Sequence, residues 1–397
     1  MKKYFSAVMS LMSLVISAQT IDYNFNDCSL DDASGQFAPA TTVSTPDCVC
    51  GLIENGLYFD GNLDNVVFDE NIDSTFQEDF TISFYFKLED ASTNIDIISI
   101  KNSCDLDSIF DMVYRPASNK LQIQIGNNLS SLEAREIVID PTRCWHRFAL
   151  TKSGLVYTWY INDVREEYVA PSNVQFGKGA SIALANSPCL GNGSVERFKG
   201  WIDEFKIYPR ALSAVELKAN DLLPDQIITR DTTIVLGATV NIETGPTCAT
   251  SFSWEPAESI DDPSLLNIAT SPEETTQYSI SFANVGGCIA QDTMTVFVID
   301  EDALDCEQLL LPNAFTPNGD QLNDTYGISN LFLLEEIIFF EIYDRWGAKI
   351  WQTTDKNDAW DGTNGSSPVN PGMYIYKIKY ICSGDEYVKL DNFSVLR

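Results

Sequence analysis

The chain has 397 residues, 57 acidic against 25 basic, and a formal charge of −32. That length suggests two to four domains of about 100–200 residues, and the acidity argues against nucleic acid or anionic lipid as a partner, since both need a basic footprint. Acidity spread so evenly reads as solubility rather than as a site for a basic ligand.

The first segment reads as an export signal over residues 1–18. Lys2 and Lys3 are its charged end, Tyr4 to Ile16 its apolar stretch, and Ile16-Ser17-Ala18 before Gln19 a small-residue cleavage site. No later run of about eighteen apolar residues follows, so no transmembrane segment is expected in the mature chain.

Residues 19–222 read as sheet. Ile82, Phe84, Phe86 and Leu88 alternate with Ser83, Tyr85 and Lys87, and Leu121, Ile123 and Ile125 with Gln122 and Gln124. Val156 to Ile161 runs into Asn162-Asp163, a hairpin dipeptide. Many strands without intervening helices predict a sandwich. The stretches GLYFDGNLDNVVF (Gly56 to Phe68), FTISFYFKL (Phe80 to Leu88), CWHRFALTKSGLVYTWYINDV (Cys144 to Val164) and FKGWIDEFKIYPRALSAVEL (Phe198 to Leu217) resemble the laminin-G-like, concanavalin A-like jelly-roll domain. Ser213, with Glu216 three residues on, can cap a short helix at its end.

Asp203 falls in the strand Trp201 to Tyr208. Period-2 alternation places it with Trp201, Phe205 and Ile207 on the apolar face, opposite Glu204. A carboxylate there needs an ion pair, hydrogen bonds or a metal. The resemblance implies a structural calcium, which would match Asp203 with Asn26 or Asp27 of the YNFND stretch, oxygen ligands that suit this cation. Hydrogen bonds to loop amides are the other way to satisfy it. Asp60 and Asp64 are weaker candidates, because Asp60-Gly61 is a good turn by itself. Tyr157, Trp159 and Tyr160 could stack on a sugar or fill the core.

Residues 223–300 change to a smaller β module, with strand-like runs at Thr233 to Leu236, Thr239 to Ile242, Tyr278 to Ala283 and Asp292 to Ile299. Cys248, Trp254 in FSWEP and Cys288 resemble the polycystic-kidney-disease-type or bacterial immunoglobulin-like domain, which implies a spacer, and the linkers Leu222 to Thr229 and Asp300 to Cys306 are short enough for a semi-rigid row of domains.

Residues 307–397 read as a third, small β domain with turns at Pro317-Asn318-Gly319-Asp320, Asp361-Gly362, Asn364-Gly365 and Pro371-Gly372. From Met373 to Cys382, Tyr374, Tyr376, Ile378, Tyr380 and Cys382 face one way, Lys377 and Lys379 the other. PNAFTPNGD, RWG, WDGT and the Gly-x-Tyr-x-Tyr strand resemble the gliding-motility-associated C-terminal domain. The resemblance implies a type B sorting signal read by the type IX secretion machinery. Asn318-Gly319-Asp320 with Asn323-Asp324 lacks the EF-hand series of ligands and reads as a hydrogen-bonded turn.

The ten cysteines fit an oxidising compartment, with an even number in each proposed domain. Cys48-Val49-Cys50 is too tight for ordinary zinc spacing. Cys248 to Cys288 and Cys306 to Cys382 are the bridges expected. Pairing among Cys28, Cys48, Cys50, Cys104, Cys144 and Cys189 is left open by the sequence.

Catalytic motifs are missing. His146 is the one histidine, it lies within a strand, and no nucleophile elbow, P-loop or zinc motif accompanies it. Paired carboxylates of a glycosidase would be the enzymatic option, but Glu166-Glu167 follows a hairpin and reads as solvated. The expectation is an all-β, multidomain, non-catalytic protein at the cell surface or outside the cell. It would be an adhesin-like binder of a glycan or an extracellular protein through residues 19–222. A structural component of a surface layer or gliding apparatus is the alternative, and a glycoside-active enzyme the second alternative.

Overall fold

Fifteen strands of residues 21–208 build a two-sheet sandwich in this computed structural model, which describes residues 20–68, 76, 78–89, 91–101, 109–127, 133–174, 181–187, 190, 195–300, 305–318, 323–365 and 367–396. The export signal at 1–18, Cys104, Cys189 and the tip of the Pro317 to Asp320 turn lie outside the described residues. The strands are β1 (Ile21–Tyr23), β2 (Asp47–Cys50), β3 (Asn55–Asp60), β4 (Val66–Phe68), β5 (Phe80–Leu88), β6 (Asn94–Lys101), β7 (Ile109–Arg115), β8 (Lys120–Gly126), β9 (Glu133–Val138), β10 (Trp145–Ser153), β11 (Val156–Ile161), β12 (Val164–Val169), β13 (Ser181–Leu184), β14 (Val195–Arg197) and β15 (Lys199–Tyr208). One sheet runs β12-β11-β10-β5-β15-β3-β2 with β1 on β15; the other runs β4-β13-β6-β7-β8-β9 with β14 on β6.

The inner faces follow the alternation in the sequence. Phe80, Ile82, Phe84 and Phe86 of β5, Phe148 and Leu150 of β10, and Leu121, Ile123 and Ile125 of β8 share one buried core. Each such side chain contributes about 1.5–3 kcal/mol when fully buried. Tyr157 and Trp159 belong to that core, whereas Tyr160 packs on the other face beside Leu212 and Leu217. Helix α1 (Ala214–Ala219) starts at Ser213, whose hydroxyl accepts from the Glu216 amide while the Glu216 side chain accepts from the Ser213 amide.

Strands β16 (Thr232–Val235), β17 (Val240–Ile242), β18 (Ala249–Glu255), β19 (Ile268–Thr270), β20 (Thr276–Asn284) and β21 (Ile289–Ile299) form the middle module, with β18, β20 and β21 paired in sequence and β17 on β19. The chain packs as two compact units. Met1–Thr232, Thr239–Ser271 and Thr276–Val296 form the first; Thr233–Ala238, Pro272–Thr275 and Phe297–Arg397 form the second. The first unit thus takes in the sandwich and most of the middle module.

Cysteine pairing explains the fusion and corrects the expected Cys248 to Cys288 bridge. Cys248 is bonded to Cys50, Cys288 to Cys144 and Cys28 to Cys48. Cys248 immediately precedes β18 and Cys288 immediately precedes β21, so both stand at the end of the module that abuts the sandwich. The Gln291 amide donates to the Thr142 carbonyl at the same junction. Alongside the bridges, the connector is held by Tyr85, whose hydroxyl donates to Asp221 Oδ1 (2.8 Å) and accepts from the Leu222 amide (2.8 Å).

In the tail, β22 (Ala314–Phe315), β23 (Glu336–Tyr343), β24 (Lys349–Thr353), β25 (Thr363–Asn364), β26 (Ser367–Pro368), β27 (Gly372–Cys382) and β28 (Asp385–Val395) form a five-stranded sheet, β22-β28-β27-β23-β24, and a small hairpin of β25 and β26. Cys306 is bonded to Cys382. Tyr374, Tyr376, Ile378, Tyr380 and Cys382 alternate into a core that also holds Phe315, Tyr326, Trp360 and Phe393. Gly362 has φ +78°, and a Cβ there would stand 2.8 Å from Pro317, so the WDG turn closes onto the PNAFTP stretch.

Candidate binding site on the outer sheet face

Sheet register assembles the site from residues far apart in sequence. Trp201 of β15 pairs with Tyr58 of β3 on one side and with Lys87 of β5 on the other, and Lys87 pairs in turn with Trp145 of β10. These four form one cross-strand row on the face turned away from the sandwich core, where side chains of adjacent strands touch directly. The next row carries Asp203, Tyr85 and Arg147. Trp145, Trp201, Tyr85 and Leu52 form a second, smaller apolar cluster there.

The first row opens on a pocket of about 340 Å³ lined by Val49, Tyr58, Lys87, Glu89, Trp201, Val285, Gly286 and the Cys50–Cys248 bridge. The middle module supplies one wall through Val285 and Gly286; a Cβ on Gly286 would stand 3.3 Å from the Trp201 ring. The Tyr58 and Trp201 rings lie 4.8 Å apart, tilted by 51°. Lys87 Nζ lies 3.8 Å from the Trp201 ring centroid. Burial pushes this ammonium down to about 8, against the pull of Asp225 and Glu89. Burial would raise Glu89, but the hydrogen bonds from Lys199 (2.8 Å) and the Tyr58 hydroxyl (2.7 Å) outweigh it and hold the carboxyl below its usual range.

Asp203 sits one row away and anchors a loop. Its Oδ2 accepts from the Leu52 amide (2.6 Å) and its Oδ1 from the Glu204 amide (2.8 Å). A Cβ on Gly51 would stand 2.5 Å from Oδ2, and one on Gly56 3.1 Å from the carboxyl carbon, so the turn between β2 and β3 needs glycine to come this close. Burial pushes Asp203 up to about 8, against those two amides and with the Glu204 charge adding to it.

The alternation expected along β15 breaks at this residue. A bulge between Asp203 and Lys206, with Glu204 at φ +55°, shifts the phase by one residue. Phe205 and Ile207 therefore enter the sandwich core with Ile202, while Trp201 and Asp203 stay outside it. Glu204 is not opposite Asp203 as expected. It lines an outer cleft with Ser83, Arg147 and Lys206, and its carboxylate is paired with Lys206 (2.5 Å). Bulges change local direction in this way by leaving one residue unpaired.

Of the other residues singled out, Asn26 lies beside the same loop, its carbonyl accepting from Asn55 Nδ2 (2.7 Å). Its Oδ1 is buried with no hydrogen-bond donor among the described residues. Asp27 is exposed and accepts from the Ser29 amide (3.0 Å). No group of three or more acidic, histidine or cysteine side chains poised for a metal occurs among the described residues. Asp60 and Asp64 serve the turn: Asp60 accepts from the Asn62 amide (2.7 Å), and Asp64 from the Asp60 amide (3.1 Å) and the Ser44 hydroxyl (2.8 Å). His146 is buried against Phe86, with Nδ1 3.2 Å from Asn162 Nδ2, and burial drives it down to about 4, so it is neutral at pH 7. In the tail, the Asn318 amide donates to Asp324 Oδ1 (2.8 Å), as a side-chain-braced turn does.

Tyr58, Lys87 and Trp201 were not recognisable as a group from sequence. Lys87 reads as the solvent side of β5 and Trp201 as part of an apolar face, and the signal that joins them is strand order, which no local pattern contains.

The CHU_C type IX secretion signal domain model matches residues 309–392, and the concanavalin A-like lectin/glucanases superfamily model matches residues 60–218. The chain carries a type IX secretion signal domain behind a concanavalin A-like domain, and that signal indicates export to the cell surface or extracellular space. No match was found among curated proteins. Among solved structures, the chain is similar to domain 4 of AbnA, a GH43 extracellular arabinanase from Geobacillus stearothermophilus, in complex with arabinotriose (20% identity, 51% of this chain and 98% of that one, TM-score 0.42). It is also similar to the CBM40 of Ruminococcus gnavus IT-sialidase bound to alpha2,3 sialyllactose (16%, 37% and 83%, TM-score 0.32) and to the binding domain of Botulinum neurotoxin DC in complex with rat synaptotagmin II (13%, 95% and 78%, TM-score 0.42).

Proposed function

We propose that this is an exported, adhesin-like binding protein whose first unit takes the end of an extracellular glycan into the Tyr58–Lys87–Trp201 pocket, while the tail addresses the chain to the type IX secretion machinery. The observation that carries the reading is the cross-strand row opening on a pocket of about 340 Å³. That volume falls within the range of small-molecule sites, about 300–1,000 Å³, and suits one or two sugar rings better than a protein face. Tyr58 supplies flat apolar surface backed by the buried Trp201 ring, and Glu89 and Lys87 supply polar groups that fix orientation.

The role is binding rather than cleavage. Glycoside hydrolysis uses two carboxyl groups flanking one bond, and among the described residues that line the pocket Glu89 is the single acid. Glu89 is engaged by Lys199 and Tyr58, and Asp225 by Thr247 and Asn284.

A glycan array and calorimetry with the full exported chain test the proposal. Retention of a saccharide that is lost in Tyr58→Ala supports it; no retained saccharide, or retention indifferent to Tyr58, overturns it. A structural calcium at Asn26, Asp27 and Asp203 would show as a lower melting temperature in a chelator, and an unchanged curve removes it.

A further inference from the structure

Lys87 is a desolvated cation whose ammonium meets no acceptor among the described residues. It is 2% exposed, and its Nζ lies over the Trp201 ring at 3.8 Å and 5.4 Å from the Trp145 ring centroid. Its ammonium makes no hydrogen bond or ion pair with any described residue. An ammonium has three N–H donors, and a ring face satisfies its charge in part but accepts no conventional hydrogen bond.

Among the described residues, the two carboxylates whose charge acts on Lys87 are already engaged. Glu89 Oε1 is paired with Lys199 Nζ (2.8 Å) and Oε2 accepts from Tyr58 (2.7 Å). Asp225 is 2% exposed and accepts from Thr247 Oγ1 (2.6 Å) and Asn284 Nδ2 (3.0 Å). Among the described residues that line the pocket, Lys87 is the single cation.

Resting on the reading of this pocket as the ligand site, we propose that it selects an acidic sugar, a ring bearing one carboxylate that accepts from Lys87 Nζ while the ring packs against Val49, Tyr58 and Val285. Lys87 is stripped of water when the chain folds, so the ligand adds only its own desolvation, and the contact forms where the dielectric is low. Glu89 shapes the choice from the other side. Its remaining lone pairs can accept from sugar hydroxyls, and its charge disfavours a second carboxylate on the ligand. Because burial lowers Lys87 to about 8 in the free protein, the preference weakens as pH rises beyond that value.

Calorimetry on the full exported chain with D-glucuronate, D-glucose and benzoate tests this, at about pH 6 and about pH 10, either side of the Lys87 titration. Glucuronate should bind on the order of tenfold more tightly than glucose at the lower pH, as a charge-assisted hydrogen bond requires. The ratio should approach one at the higher pH and in Lys87→Met, and survive in Lys87→Arg, with the melting temperature of both variants maintained. Equal binding of the two sugars, or a ratio that persists in Lys87→Met, overturns the inference and leaves a neutral-sugar site. Binding of benzoate without either sugar supports the carboxylate contact and overturns the glycan reading. No binding of any of the three overturns both.

Discussion

The tail and the first unit place their aromatic residues differently. In the tail, the recognisable motifs are the packing itself: Trp360 of the WDG motif is fully buried, its Nε1 donates to the Thr363 carbonyl (2.7 Å), and Phe315 and Tyr326 close around it. In the first unit, the stretches that identify the fold put alternate residues to separate uses. Leu57, Phe59, Phe84, Phe86 and Ile202 fill the sandwich, while Tyr58, Lys87 and Trp201, one residue away in each case, form the outer row. A motif that identifies a fold thus need not mark the residues that bind. Here the candidate binding residues lie between the core positions.

The difference can be broken at its strongest point first. Trp360→Ala should cost the tail about 3–5 kcal/mol, as large aromatic truncations do, read from protease cleavage of the tail in a urea titration of the full exported chain. A smaller loss, under about 1 kcal/mol, would mean that the motif is not the packing centre. Replacing Cys50 and Cys248 together by Ser should lower stability of the first unit by about 2–4 kcal/mol and reduce saccharide binding, since the bridge forms part of the pocket wall. Binding that persists unchanged would detach the middle module from the site.

Asp203→Ala should cost about 1–3 kcal/mol by leaving the Leu52 and Glu204 amides without an acceptor. The titration adds a sign. The folded value, about 8, lies above the ordinary 3.8, so this group's contribution is full below about pH 4 and lost as pH rises through 8. Denaturation midpoints of the wild type relative to Asp203→Asn should therefore fall across that window, and a flat difference would show that Asp203 is ionised throughout. His146 has the opposite slope. Its folded value, about 4, lies below the ordinary 6.5, so its contribution is full above pH 6.5 and lost as pH falls through 4, and His146→Gln should remove that part of the acid sensitivity.

The smallest effect belongs to Trp346 of the RWG motif, 83% exposed. Its turn is set by the Asp344 carboxylate, which accepts from the Trp346 (2.9 Å) and Ala348 (2.8 Å) amides, and by Gly347 at φ +83°. Trp346→Ala should therefore change stability by no more than about 0.5 kcal/mol. A larger loss in the same urea titration would place its ring in the tail's packing after all.

By itself, the sequence determined what depends on neighbours along the chain. Alternation in β5, β8, β10 and β27 decides which side of each strand is buried, because successive side chains point to opposite faces. Ser213 and Glu216 form the cap of α1 because both partners lie within one turn. The tail's motifs mark turns because a backbone reversal needs particular residues in place. What only the tertiary structure decided are pairings across distance. Cysteine counting does not contain the choice of Cys50 and Cys144, rather than each other, as partners of Cys248 and Cys288, since it depends on which end of the module faces the sandwich. The bulge at Asp203 moves Phe205 and Ile207 into the core by inserting one residue that no periodicity announces. Tyr58, Trp201, Lys87 and Trp145 become neighbours only because β3, β15, β5 and β10 lie side by side in that order, and strand order is set by the burial of whole faces rather than by local sequence.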